Sequence, residues 1–352
     1  MSKTVSPIKT ALCAYGMSGQ VFHAPFLKVL DEFSFHGVVE RHAKKAAEKY
    51  PDVRSYNSIE EMLADPTVEL VIVNTPNTTH YGYTKQALLA GKHVVVEKPF
   101  TATSEEAKEL QQLAEKQQKK LVVFQNRRWD SDFLAIKEVI DQRLLGTLID
   151  AEFRWDRYKP ALSYKVHKEI KQPGAGNIYD LGPHLIDQTI CLFGKPEKLF
   201  AIVQTHRADS EVDDYFDISL LYPNVNVRLK SSLLALEPVP SFVLQGSEGS
   251  FLKSRSDIQE TVLQEGILPS TPDWGQEPES EWGILHTSHE GKESREKFAS
   301  PAGHYQSFFQ GVYHHIRDNA PSPVPLQDSV LNIQIIEAAL QSSRTGQTIS
   351  LD

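Results

Sequence analysis

Cysteine is nearly missing from this chain. Cys13 and Cys191 are the only two among 352 residues. They form no Cys-x-x-Cys pair and each lies in an apolar segment. Two buried free thiols in a reducing cytoplasm are therefore expected, rather than a disulfide framework. No stretch approaches 18 consecutive apolar residues, so no membrane span is expected. An excess of positive charge is also missing. Against 37 Lys and Arg stand 46 Asp and Glu, for a formal net charge of −9. That balance argues against non-specific binding to nucleic acid or to an anionic membrane. The first seven residues are polar and lead at once into a strand pattern, so a signal peptide is not expected. No repeat and no low-complexity tract is present.

What remains is globular composition, 40% hydrophobic and 24% charged, long enough for two domains with a core each. Up to about residue 125 the chain alternates strand and helix. Strand patterns fall at Ile8 to Ala14, Phe35 to Val39, Val68 to Val73, Val94 to Val96 and Leu121 to Phe124. Helical patterns lie between them. Ser58-Ile59-Glu60-Glu61 and Thr103-Ser104-Glu105-Glu106 read as helix starts, and Gly91 as a helix end. Buried β-branched strands joined by helices predict a parallel, doubly wound sheet.

After Phe124 the character changes. Asp132 to Arg143 looks helical, Leu148 to Tyr158 reads as a half-exposed strand, and an apolar helix follows Gly174-Ala175-Gly176 through Phe193. Strand candidates near 198–206, 215–222, 225–235 and 241–245 predict a mostly antiparallel sheet. Residues 265–300, rich in Gly, Pro, Ser and Glu, read as surface loop. Two helices, about 304–317 and 328–343, close the chain. The domains expected are 1–125 and 126–352, with the last helix free to pack back on the first.

Three strand ends in the first half carry candidate chemistry. Ala14-Tyr15-Gly16-Met17-Ser18-Gly19 follows the first strand and opens a helix. It matches a G-x-G-x-x-G dinucleotide loop with alanine at the first glycine, so Tyr15, Gly16, Met17, Ser18 and Gly19 are expected around a pyrophosphate. Glu40 ends the second strand, where a ribose-binding carboxylate belongs. Arg41 follows and suits a 2′-phosphate instead. NAD and NADP both stay open, with NAD slightly favoured. Asn74-Thr75-Pro76-Asn77-Thr78-Thr79-His80 follows the third apolar strand. Thr75 and Pro76 are placed at the nicotinamide ribose, Asn77 reads as a helix cap, and His80 is a further cofactor candidate. The run His93 to Phe100 ends a buried strand in Glu97, Lys98 and Pro99, which puts two charged groups where open α/β sheets bind ligands.

These motifs, with Gln125-Asn126-Arg127-Arg128-Trp129-Asp130 and Asp180-x-Gly182-x-His184-x-x-Asp187, resemble the glucose–fructose oxidoreductase/inositol dehydrogenase (Gfo/Idh/MocA) family over nearly the whole chain. The nearest resemblance is to NADP-type scyllo-inositol dehydrogenases and their relatives. It implies an N-terminal Rossmann domain and a C-terminal α/β domain whose open sheet makes a homodimer or homotetramer. It also implies a cis peptide at Glu97–Lys98 or Lys98–Pro99, and Lys98, Asp180 and His184 as the catalytic set, with Lys98 bridging substrate hydroxyl and nicotinamide ribose.

The residues support such chemistry independently. Asp180, His184 and Asp187 fall at i, i+4 and i+7, one face of a single helix. A histidine near its ordinary pKa suits a base for a hydroxyl proton, and a carboxylate one turn away can orient it. No HExxH and no Cys/His cluster is present, so no metal is expected. Asn126, Arg127 and Tyr158 are expected to touch substrate, with Trp155 and Arg157 behind them. The activity expected is NAD(P)-dependent oxidation of a secondary alcohol on a cyclic polyol or sugar, in the cytoplasm. The alternatives are an NAD-dependent glycosidase on the same scaffold and a non-catalytic dinucleotide sensor. A sensor should lack the Lys or the His, and both are here.

Overall fold

A computed structural model describes residues 6–163 and 169–351. The chain forms two compact units, one of residues 1–126, 259–274 and 304–330, the other of residues 127–258, 275–303 and 331–352.

In the first unit six strands alternate with five helices. They are β1 (Ile8–Leu12), α1 (Ala24–Val29), β2 (Phe33–Val39), α2 (Ala46–Lys49), β3 (Arg54–Tyr56), α3 (Ile59–Ala64), β4 (Leu70–Val73), α4 (His80–Leu89), β5 (His93–Val96), α5 (Ser104–Lys116) and β6 (Leu121–Val123). The sheet is parallel throughout, in the order β3-β2-β1-β4-β5-β6. This is the doubly wound Rossmann arrangement expected. Val71, Ile72, Val73, Val94, Val95, Val96, Val122 and Val123 are almost wholly buried, because helices cover both faces of such a sheet. Ser58 and Thr103 cap α3 and α5 as read from sequence, Thr103 in a full capping box with Glu106. Strand β3 was not anticipated. It is three residues long and its outer end is exposed, too short to show a period.

Two later segments enlarge this unit beyond the expected 1–125 block. One holds α9 (Gln259–Gln264), the other α10 (Gln306–Arg317). Aromatic packing explains the return. Phe309 stacks on Phe26 at 4.9 Å, Phe308 meets Phe124 edge-on at 4.9 Å, and Trp274 lies 6.4 Å from Phe26. Such rings bury large apolar area wherever they fall in sequence.

The second unit contains α6 (Ser131–Asp141), β7 (Leu148–Arg154), α7 (Asn177–Asp180), α8 (Gly182–Phe193), β8 (Lys198–Gln204), β9 (Tyr215–Leu221), β10 (Asn226–Ser232), β11 (Phe242–Gly246), β12 (Gly249–Lys253), β13 (Gly283–His289), β14 (Lys292–Phe298) and β15 (Ile349–Ser350). Helix α11 (Leu326–Thr345) crosses the division and ends here. The nine strands run β14-β13-β12-β11-β7-β10-β9-β8-β15, antiparallel except for β7 against β10. This is the open, mostly antiparallel sheet expected. Strand β8 alternates buried Leu199 and Ala201 with exposed Phe200 and Ile202.

Two expectations fail here. Residues 265–300 are not all loop, since β13 and β14 form a hairpin. Its turn residues Glu290 and Gly291 both have positive φ, 49° and 78°, the pattern of a tight hairpin turn that matches strand twist. Strand β14, Lys-Glu-Ser-Arg-Glu-Lys-Phe, is an exposed edge, where charge on both faces blocks further pairing. That composition hid it. The single helix expected through Phe193 is two. Helix α7 ends at Asp180 and α8 begins at Gly182. Pro183 has no N–H to donate to the turn before it, so it opens a new helix rather than continuing the old one.

Candidate active site

In the first unit, β4 lies between β1 and β5. All three are parallel, so the loops after them leave the same edge of the sheet. Asn74 binds this edge together. Its Oδ1 accepts from Ala14 N at 3.1 Å and its Nδ2 donates to Ala14 O at 2.8 Å. A Cβ on Gly19 would stand 2.6 Å from Ala14 O and 2.9 Å from Asn74 Nδ2. Glycine is therefore required at 19 for the latch to close. A Cβ on Gly16 would meet nothing within 4 Å, which leaves open space along the loop where a pyrophosphate needs close backbone approach. These residues fit a dinucleotide. Met17 is exposed and Tyr15 half-buried.

Two residues expected at the cofactor, Ser18 and Glu97, bond to each other. Ser18 Oγ donates to Glu97, and His23 Nε2 lies 2.8 Å from the same carboxylate oxygen. Burial would raise the Glu97 pKa, but the His23 and Ser18 bonds and the charge of Lys98 outweigh it and hold the carboxyl below its usual range. Glu97 thus ties the glycine loop to the end of β5. It braces the two loops on which the cofactor contact is expected. His80 is held in a similar way. Its Nδ1 is 2.7 Å from Pro99 O and its Nε2 2.9 Å from Thr75 O. With both ring nitrogens against main-chain carbonyls, and with burial lowering its pKa, it braces the β4 and β5 loops. Between the two braces stands Lys98, whose peptide to Pro99 is cis. Thr75 and Thr79 share a hydroxyl contact at 2.7 Å. Asn77 does not cap α4. It starts a short 3-10 turn and accepts from Thr78 N.

Glu40 is buried and also turned inward. One carboxylate oxygen accepts from Ser55 Oγ at 2.8 Å, the other from Ala46 N at 3.2 Å at the start of α2. Arg41 is exposed, with one 3.4 Å contact to Tyr83 Oη.

In the second unit, Asp180 closes α7 and His184 lies in the first turn of α8, with the helix break between them. The single-helix reading therefore fails for Asp180, which lies on α7 while His184 and Asp187 lie on α8. The Asp187 carboxylate takes a bidentate, buried pair from Arg128, at 2.8 and 2.7 Å. His184 is 6% exposed and its ring centroid is 5.2 Å from that of Trp155. Three guanidinium groups surround the same indole, those of Arg255 at 4.2 Å, Arg127 at 5.3 Å and Arg157 at 5.5 Å. Asn126 is buried in a 3-10 turn, and Tyr158 is exposed and bridges to Leu234.

Sequence reasoning missed Asn74, His23, Arg255 and Asp213. Asn74 at least sits directly before the Thr-Pro motif. Arg255 carries no local signal. Asp213 Oδ2 accepts from Ile178 N at 2.7 Å at the start of α7, where a Cβ on Gly176 would collide with its other oxygen. Burial pushes the Asp213 carboxyl up to about 7, against the backbone donors that favour its charged form. A folded-state pKa above the unfolded value contributes stability that is complete below the unfolded pKa and is lost as pH rises through about 7. Asp213→Asn removes that titration. Its melting temperature relative to wild type should be higher at pH 8 than at pH 5.5, by calorimetry. A pH-independent difference would show that the carboxyl does not titrate there.

With the geometry in place, the comparisons are clear. Residues 8–125 match the description "Oxidoreductase family, NAD-binding Rossmann fold", and residues 137–351 match "Oxidoreductase family, C-terminal alpha/beta domain". The chain belongs to the Gfo/Idh/MocA oxidoreductase family. Among its relatives is "scyllo-inositol 2-dehydrogenase (NADP(+)) IolW" of Bacillus subtilis, 36% identical over 99% of this chain and 98% of that protein. An uncharacterised oxidoreductase of Schizosaccharomyces pombe is 38% identical over 98% of this chain and all of that one. A putative oxidoreductase structure from Bacteroides fragilis superposes with a TM-score of 0.91 at 44% identity, covering 98% of this chain and 100% of the other. The family's NAD-binding domain makes a nicotinamide dinucleotide, NAD or NADP, the cofactor. Among the described residues no helix is long and apolar enough to cross a membrane.

Proposed function

We propose that this protein is an NADP-linked dehydrogenase that oxidises a secondary alcohol of a cyclic polyol or sugar. Its whole-length likeness to a relative named as an NADP-dependent scyllo-inositol dehydrogenase carries the reading. A second relative, 28% identical over 55% of this chain, is named D-glucoside 3-dehydrogenase. The bound nicotinamide would supply the carbon that accepts a hydride. The chain's own residues then have two tasks, to hold the hydroxyl and to take its proton. The proposal gives Lys98 the first, as a cation at the hydroxyl oxygen. It gives His184 the second. His184 Nδ1 is shielded from solvent, so the proton would be taken at Nε2. Asp180, two positions before α8 begins, would stabilise the charged imidazole.

The choice of NADP rests on Glu40. An acceptor for the ribose hydroxyls needs a carboxylate free to turn outward, and both oxygens here are occupied by Ser55 and Ala46. Arg41 is left as the exposed charge beside that position, suited to a 2′-phosphate. Wild type should show a higher kcat/KM for NADP than for NAD with inositols and aldoses. Arg41→Ser should cut the NADP value by about tenfold, the size of one charge-assisted contact. Equal use of both cofactors in wild type would refute the NADP assignment. Absence of net reduction with every polyol would refute the dehydrogenase and favour the glycosidase or sensor.

A further inference from the structure

The guanidinium groups around Trp155 are not balanced. Arg255 lies against the faces of Trp155 at 4.2 Å and Phe242 at 4.5 Å. Its Nη2 reaches Gln188 Oε1 only at 3.4 Å and its Nη1 comes no nearer than 4.0 Å to Asp132. Its Nε and Nη1 are shielded from solvent and hydrogen-bond to nothing. Asp132 Oδ2 accepts from Ser256 N and Asp257 N, and its Oδ1 faces Arg255 without closing to hydrogen-bond distance. Arg127 has Asp130 at 3.5 Å. Arg157 makes no ion pair with any described carboxylate. Its sequence neighbour Asp156 is engaged by Arg154 at 2.9 Å and by Ser232 N, and Arg128 is matched by Asp187. Two carboxylates thus stand against three guanidinium groups. Burial and the charges of Arg127 and Arg157 push the Arg255 pKa down, against Asp132 and Asp130. Buried donors without acceptors are costly, and their persistence calls for an acceptor from outside the chain.

We propose that the arginine cluster at Trp155 binds a substrate bearing one anionic group, a carboxylate or phosphate on the sugar or polyol, with Arg157 and Arg255 as its anchors. A planar guanidinium edge presents paired N–H donors that fit either oxyanion. His184 shares the indole with them, so the hydroxyl to be oxidised belongs to the same molecule. This inference rests on the dehydrogenase reading and narrows its substrate. The overall step is unchanged: the C–H hydride leaves to the nicotinamide, the hydroxyl proton to His184, and a ketone remains.

The test uses the full-length protein with NADP. Glucuronate, galacturonate and glucose 6-phosphate are compared with glucose, myo-inositol and scyllo-inositol. At least one anionic compound should exceed its neutral counterpart in kcat/KM by about tenfold or more. Which anion leads separates carboxylate from phosphate. The preference should fall with added salt. Arg157→Gln should lower the ratio of anionic to neutral kcat/KM by about tenfold, chiefly through KM, and Arg157→Lys should restore part of it. Arg157 is half-buried in the segment that follows β7, so the variant should fold. Neutral polyols preferred over every anion, or an unchanged ratio in Arg157→Gln, would overturn the inference. If no compound is oxidised, the dehydrogenase reading itself has failed. Calorimetric binding of glucuronate, glucose 6-phosphate and glucose to wild type and Arg157→Gln then decides the anion site alone.

Discussion

Lys98→Met is expected to lower kcat/KM by about two decades or more while the dinucleotide Kd moves only a few-fold. The main chain around Lys98 is anchored on both sides. Glu97 is held by Ser18 and His23, and the Pro99 carbonyl is held by His80. Removing the ammonium should therefore leave the loop in place and take away only the charge. That charge matters most when the substrate hydroxyl loses its proton and oxygen becomes negative, so the loss appears in turnover. Methionine keeps the length and apolar stem of lysine. Steady-state kinetics beside a fluorescence titration of NADPH separate the two effects. Near wild-type turnover in Lys98→Met would remove Lys98 from the chemistry.

The largest effect on stability is expected at Lys253. It is fully buried with Glu277, Nζ to Oε1 at 3.0 Å, and it also donates to Ser256 Oγ at 2.5 Å and to Glu281 O at 2.7 Å. Glu277 in turn accepts from Ser256 and Ser131. A buried pair contributes little net, because desolvation offsets attraction, but breaking it strands a charge in the interior. Lys253→Met should cost about 3–5 kcal/mol, read as a lowered urea midpoint of the second unit. Lys253→Met with Glu277→Leu should recover most of that loss, since neither charge is then left alone. A single variant that unfolds like wild type would show that Glu277 finds another partner or a proton.

Much of the first unit was readable in advance because its signals are local. Val94 to Val96 followed by Glu-Lys-Pro marks a buried strand ending at a ligand edge, and Thr103 with Glu106 marks a helix start. Gly16 and Gly19 were legible as a loop, but the reason for Gly19 was not. Any Cβ there would collide with Asn74, fifty-five positions on. The second unit was read less well. Its edge strand β14 carries charge at nearly every position and so reads as loop, and its sheet joins strands far apart in the chain.

By itself the sequence determined the class of fold and the family, and it nominated candidate reactive side chains. Hydrophobic period, capping and turn chemistry act between residues a few positions apart, and the motifs carry their chemistry in single residue types. Only the tertiary structure decided which partners those side chains meet. Glu40, Glu97, His80 and Asp187 all read as site residues, and each is taken by a partner that is distant in sequence or on another element. Arg255 did not read as one, and it reaches Trp155 from a hundred positions away. A carboxylate or a guanidinium has one set of hydrogen bonds to make, and which partners fill it depends on where the backbone brings them.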